Sequence, residues 1–97
     1  MPDVELEFEW DERKARANLR KHGVSFQRAA AIFRHPRLEH IDDRVEYGEI
    51  RWIALGRSES GIYKVVYTWR EQHVVRIISA QKANRNEQQI YYRAIPA

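Results

Sequence analysis

The sequence predicts an α+β fold in which two N-terminal helices and one C-terminal helix pack on a small antiparallel sheet, a meander. Three patterns carry this expectation. Val4, Leu6, Phe8 and Trp10 alternate with Glu5, Glu7 and Glu9, the period of a half-buried strand. Phe26, Ala29, Ala30 and Phe33 recur at helical spacing. Three β-rich runs, Glu49 to Arg57, Ile62 to Arg70 and His73 to Ala80, follow one another across connections short enough for hairpins.

Taken in order, the first strand ends at Asp11, an N-cap residue for a helix from Glu12 to Lys21 that Gly23 terminates. That helix has a thin apolar face, Ala15 and Leu19, and is otherwise crowded with Arg13, Lys14, Arg16, Arg20 and Lys21. Ser25 caps the second helix and Pro36 ends it. Leu38 to Ile41 reads as a short strand, and Asp42 to Gly48 as a polar loop. After the meander, Asn84 and Glu87 form a variant capping box that opens a helix to about Arg93.

Ninety-seven residues, 43% hydrophobic and 32% charged, suit one domain over residues 1–97 and leave little room for an enclosed cofactor pocket. The absence of cysteine excludes thiolate zinc sites, a cysteine nucleophile and disulfides. No apolar run approaches the roughly 20 residues of a membrane span, and the acidic N-terminus is unlike a signal peptide, so a soluble cytoplasmic protein is expected. The net charge of +3 conceals an asymmetry. Residues 1–12 hold six acids and no Lys or Arg, whereas the remainder carries 17 bases against 8 acids, a net of +9. That balance favours an anionic partner, nucleic acid before membrane.

Strand phase singles out two arginines. Arg76 shares a face with Val74, Ile78 and Ala80 by simple alternation, and Arg51 shares one with Ile53 and Leu55. A guanidinium among apolar neighbours either binds an anion such as phosphate or forms a structural ion pair, here with Glu49, Glu46 or Glu87, and both readings stay open. Lys21 and His22 complement the dipole at the end of the first helix, which accounts for them structurally; His22 is also the best-placed general base among the four histidines. Tyr63, Tyr67 and Trp69 on one strand face fit core packing better than base stacking. Asp42 and Asp43 read as solvated, and the chain shows no phosphate loop, nucleophile elbow, dinucleotide fingerprint or metal motif, so neither metal nor cofactor is expected.

Phe8-Glu9-Trp10-Asp11 before a basic helix, Lys21 to Phe26, Arg51 to Gly56, Val65 to Thr68 and Arg76 to Ala80 together resemble the BrnT family of ribonuclease toxins, over roughly residues 8 to 92. The resemblance implies a RelE-like fold and a bacterial type II toxin–antitoxin pair. It also implies metal-independent RNA cleavage that inhibits translation, and a DNA-binding ribbon-helix-helix antitoxin of the BrnA type. That antitoxin would neutralise the toxin in a hetero-oligomer and connect it to operator DNA. On this resemblance Arg76 and Arg51 stabilise the transition state, Lys21 supplies a second cation and His22 transfers a proton. Lys82, Arg20, Tyr67 and Ser79 contact RNA, with Ser79 on the face opposite Arg76 as a positioning residue. Two departures stand out: Gln81 replaces a commonly found arginine, and residues 1–7 form an extension. The alternative is a catalytically weak module that binds the antitoxin within a DNA-binding co-repressor complex.

Overall fold

The structure, a computed structural model, describes residues 5–44, 46 and 48–96. Its elements are β1 (Glu7–Glu9), α1 (Glu12–His22), α2 (Phe26–Ala30), a 3-10 turn (Ala31–Arg34), β2 (Arg37–Ile41), β3 (Trp52–Ser58), β4 (Gly61–Glu71), β5 (Val74–Lys82) and α3 (Arg85–Ala94). The five strands form one sheet in the order β1-β5-β4-β3-β2. The strands β2 to β5 make the expected antiparallel meander. At its edge, β1 pairs with β5 in parallel, Glu9 opposite Arg76, so the sheet is mixed. The alternation in the sequence extends past the paired segment on both sides, and Val4 lies outside the described residues.

Local chemistry sets the helix ends. The Asp11 carboxylate accepts from the amides of Arg13 at 2.9 Å and Lys14 at 3.1 Å, filling two of the donors left open at the start of α1. These bonds, the Lys14 amide first, hold the Asp11 carboxyl below its ordinary range. Gly23, at φ +71°, ends α1 by returning its N–H to the Leu19 carbonyl at 2.8 Å. The apolar stripe expected to form a single helix is divided, with α2 tightening into the 3-10 turn before Pro36. At the start of α3 both bonds of the capping box between Asn84 and Glu87 are present.

The principal core lies on one side of the sheet. Ala54, Tyr63, Val65, Tyr67, Val75, Ile77 and Ala80 meet Phe26, Ala29 and Ile32 of the second helix and its 3-10 extension. On the opposite side, Leu55 and Ile62 pack with Ala83 and Tyr91, so the C-terminal helix sits across the sheet from the N-terminal pair. The Tyr91 hydroxyl donates to the Pro36 carbonyl at 2.9 Å. The α1 helix runs along the outer edge of β5. There the Asn18 side chain bonds both the N–H and the carbonyl of Ala80, continuing along that edge what β1 does for residues 74–76. No helix among the described residues is long and apolar enough to cross a membrane.

Candidate functional site

A bulge in the strand pair β4·β5 determines what the α3 side of the sheet presents. Val66 pairs with Ser79 and Tyr67 with Ile77, leaving Ile78 as an extra residue; Thr68 then pairs with Arg76. Because an inserted residue reverses the alternation, Arg76 and Ser79 share a face instead of opposing one another. Ala80, expected beside Arg76, pairs with Val65 and is buried in the core on the other side. This corrects the strand phase read from the sequence.

Arg51 completes the arrangement. It precedes Trp52, whose partner Tyr67 precedes Thr68, so continuing the ladder by one residue puts Arg51 beside Thr68. Thr68 is thus flanked by Arg51 on one side and Arg76 on the other. Their backbones are separated by two strand spacings, about 10 Å, which two arginine side chains span easily. Thr68 is buried, and its hydroxyl donates to the Ile50 carbonyl at 2.6 Å, which ties the chain entering β3 to β4.

Each arginine is held by a carboxylate. Arg51 Nε bonds Glu49 at 3.1 Å, one of the pairings open in the sequence. Arg76 instead donates to Glu9 at 2.6 Å, a partner that the parallel pairing of β1 supplies. Arg70 also approaches Glu9, at 3.8 Å. Both arginine side chains keep partial exposure, 21% for Arg51 and 29% for Arg76. A guanidinium carries five N–H donors, so the bond from Arg76 to Glu9 leaves donor capacity for a phosphate.

The remaining expected residues divide by location. Gln81 pairs with Lys64 on the arginine side, and Lys64 bonds Glu87 of α3 at 3.0 Å. Lys82 pairs with Tyr63, on the side of the principal core. Arg20, Lys21 and His22 form the last turn of α1, beyond Asn18, whose bonds to Ala80 direct that turn away from Arg76 along the edge of β5, so Lys21 and His22 do not join the arginine row. Tyr67 is 1% exposed. Its ring meets Phe33 at 5.0 Å and Trp69 at 5.7 Å, and its hydroxyl donates to Glu39. No face of the Tyr67 ring is left for stacking on a base, which removes it from the expected RNA contacts. Thr68 and Glu9 escaped the sequence reading. Thr68 belongs to the Val65 to Thr68 block, but only strand pairing reveals its place between the arginines.

Beside the row, a groove of about 550 Å³ opens between β2, β3 and α3. Leu38, Ile53, Leu55 and Ile90 form its apolar wall, and its charged lining is mixed, Arg44 and Lys64 with Glu39 and Glu87. This side of the molecule therefore places an apolar recess of mixed charge beside the arginine row.

Comparison with known proteins agrees with this architecture. The crystal structure of the Brucella abortus ribonuclease toxin BrnT superposes with a TM-score of 0.61 at 20% sequence identity, covering 82% of this chain and 99% of that one. A likeness at this identity establishes the shared fold. No curated protein matches the chain. The family model described as the ribonuclease toxin BrnT of type II toxin–antitoxin systems matches residues 10–87, most of the length and all of the sheet beyond β1. The chain belongs to the BrnT family of ribonuclease toxins of type II toxin–antitoxin systems.

Proposed function

We propose that this chain is an endoribonuclease that needs no metal ion and uses Arg51 and Arg76 to stabilise charge on a scissile phosphate. The observation that supports this most directly is the placement of the two guanidiniums on either side of Thr68, on the face opposite the principal core. In the reaction, an RNA 2′-oxygen forms a bond to phosphorus and the bond to the 5′-oxygen breaks. The 2′-proton passes to solvent and the leaving oxygen takes one from solvent. The products are a 2′,3′-cyclic phosphate and a 5′-hydroxyl. The pentacoordinate phosphorane carries more negative charge than the ground state, so fixed cations lower its energy selectively. Ser79, on the same face, positions the strand.

In the cell, cleavage of RNA in the cytoplasm inhibits translation. A BrnA-type, ribbon-helix-helix antitoxin binds the toxin in a hetero-oligomer and brings it to operator DNA without direct toxin contacts. The ion pairs of both arginines favour a second reading, in which the chain cleaves weakly and serves chiefly as an antitoxin-binding module.

The two readings separate in one experiment. Purified protein is incubated with a defined single-stranded RNA in EDTA, beside the Arg76→Ala and Arg51→Ala variants, and the product ends are mapped. Cyclic phosphate ends that disappear in both variants support the ribonuclease with its charge centre in this row. Cleavage unchanged in both removes that centre, and no cleavage by the unmodified chain favours the binding module.

A further inference from the structure

The outward arc of α1 carries the densest set of cations in the molecule that make no ion pair. Arg13, Lys14, Arg16, Arg20 and Lys21 are all exposed, and none forms an ion pair among the described residues, whereas Arg37, Arg44, Arg51, Lys64, Arg70 and Arg76 each do. At about 100° per residue these five project over one arc of roughly 160°. Arg13, Arg16 and Arg20 line one stripe, about 10 Å from first to last. Like charges at these spacings disfavour the helix. The two acids beside them do not form ion pairs with them. The Asp11 carboxylate caps the helix, and Glu12 accepts from the Trp10 indole at 3.0 Å. Between the cations lies a shallow depression of about 320 Å³, lined by Arg13, Lys14, Arg16, Ala17 and Arg20.

We propose that this arc of α1 is a second binding surface for the RNA phosphate backbone, in addition to the arginine row and engaged by RNA long enough to continue from the row along the helix. The proposal rests on the reading that RNA is the substrate and adds to it a preference for long chains. An acidic protein segment is the less favoured occupant. Protein partners bind through buried apolar or aromatic anchors, and the arc offers only Ala17 between its charges, whereas a phosphate backbone requires only cations.

The test measures binding of uncleavable 2′-O-methyl RNA, which isolates this surface from catalysis. The triple variant Arg13→Gln, Lys14→Gln, Arg16→Gln is compared with the unmodified chain on oligonucleotides of about 30 and about 5 nucleotides, across a salt series. For the long RNA, affinity falls about tenfold or more, and the slope of log affinity against log salt becomes shallower by roughly 2, as expected for three lost phosphate contacts. For the short RNA, affinity changes less than about twofold. A companion variant with Lys in place of Arg13 and Arg16 keeps long-RNA affinity, which separates charge from helix packing. Equal losses on both RNAs, an unchanged salt slope, or loss of binding to a polyglutamate peptide with RNA affinity intact would each overturn the proposal. Long-RNA binding that depends on the arc in a protein that cleaves nothing would leave this surface standing and reject the catalytic reading alone.

Discussion

Glu9 lies directly opposite Arg76 in the parallel pair of β1 and β5, and its carboxylate accepts from the Arg76 guanidinium at 2.6 Å. The acidic edge strand thus orients the cation that the proposed chemistry relies on, while occupying part of its hydrogen-bonding capacity. Two variants separate these effects. Arg76→Ala lowers kcat/KM for RNA cleavage by about 100-fold or more, the scale of losing one transition-state donor. Glu9→Gln lowers kcat by about tenfold through looser positioning, and KM falls because a competing anion is gone. Steady-state kinetics of both proteins check this, and an Arg76→Ala protein within about threefold of the original would contradict the role.

Asn18 is buried, and it satisfies three backbone groups. Its amide donates to the carbonyls of Val24 at 3.0 Å and Ala80 at 2.8 Å, and its oxygen accepts from the Ala80 N–H at 3.1 Å. The bonds close the exposed edge of β5 and lock α1 to the turn at Gly23. Asn18→Ala leaves all three groups unpaired and costs about 2–3 kcal/mol. Urea unfolding at neutral pH reads this directly. A loss under about 0.5 kcal/mol would show that water takes over the bonds.

Gly56 belongs to the Arg51 to Gly56 block, and the requirement for glycine there has a local cause. A Cβ on Gly56 would lie 2.7 Å from Cβ of Ile32, where the 3-10 turn presses on β3. The clash involves the base of a fully buried side chain, which cannot swing away. Gly56→Ala therefore destabilises by about 1–3 kcal/mol, and it costs less in an Ile32→Gly background, where the opposing Cβ is gone. Strictly additive losses in a thermal or urea double-mutant cycle would contradict the contact.

What could be read from the sequence was local. The caps at Asp11, Ser25 and Asn84 are set by residues within three positions of the groups they serve, and the meander by hairpin-length connections. Pairing between distant segments was hidden. Nothing near Glu9 marks it as the neighbour of Arg76, since parallel pairing needs no connecting turn. The bulge at Ile78 lies in Ile77-Ile78-Ser79, without glycine or proline to signal it, so counting by twos put Ser79 on the wrong face. The same nonlocality separated Lys21 and His22 from the arginine row, because the edge bonds of Asn18 to Ala80 fix where α1 lies along β5. Tyr67 was legible as a core residue, and its bond to Glu39 was not, because β2 and β4 are not sequential neighbours.

Burial of Tyr67, together with that bond, makes the fold lose stability at high pH. Burial, then the hydrogen bond and charge of Glu39, raise the Tyr67 pKa above its ordinary value of 10.0. The folded state thus keeps the Tyr67 proton after the unfolded chain has lost it. The stabilisation is complete below pH 10 and declines as pH rises toward the elevated folded value, by up to about 1.4 kcal/mol per pH unit. The sign follows from proton counts, because above pH 10 the unfolded state binds fewer protons than the native one. Urea midpoints measured between about pH 8.5 and pH 11 give the slope. Tyr67→Phe lowers stability near neutral pH, where Glu39 loses its donor, but removes this contribution to the alkaline decline. Equal alkaline slopes in the two proteins would mean that Tyr67 does not titrate as its burial requires.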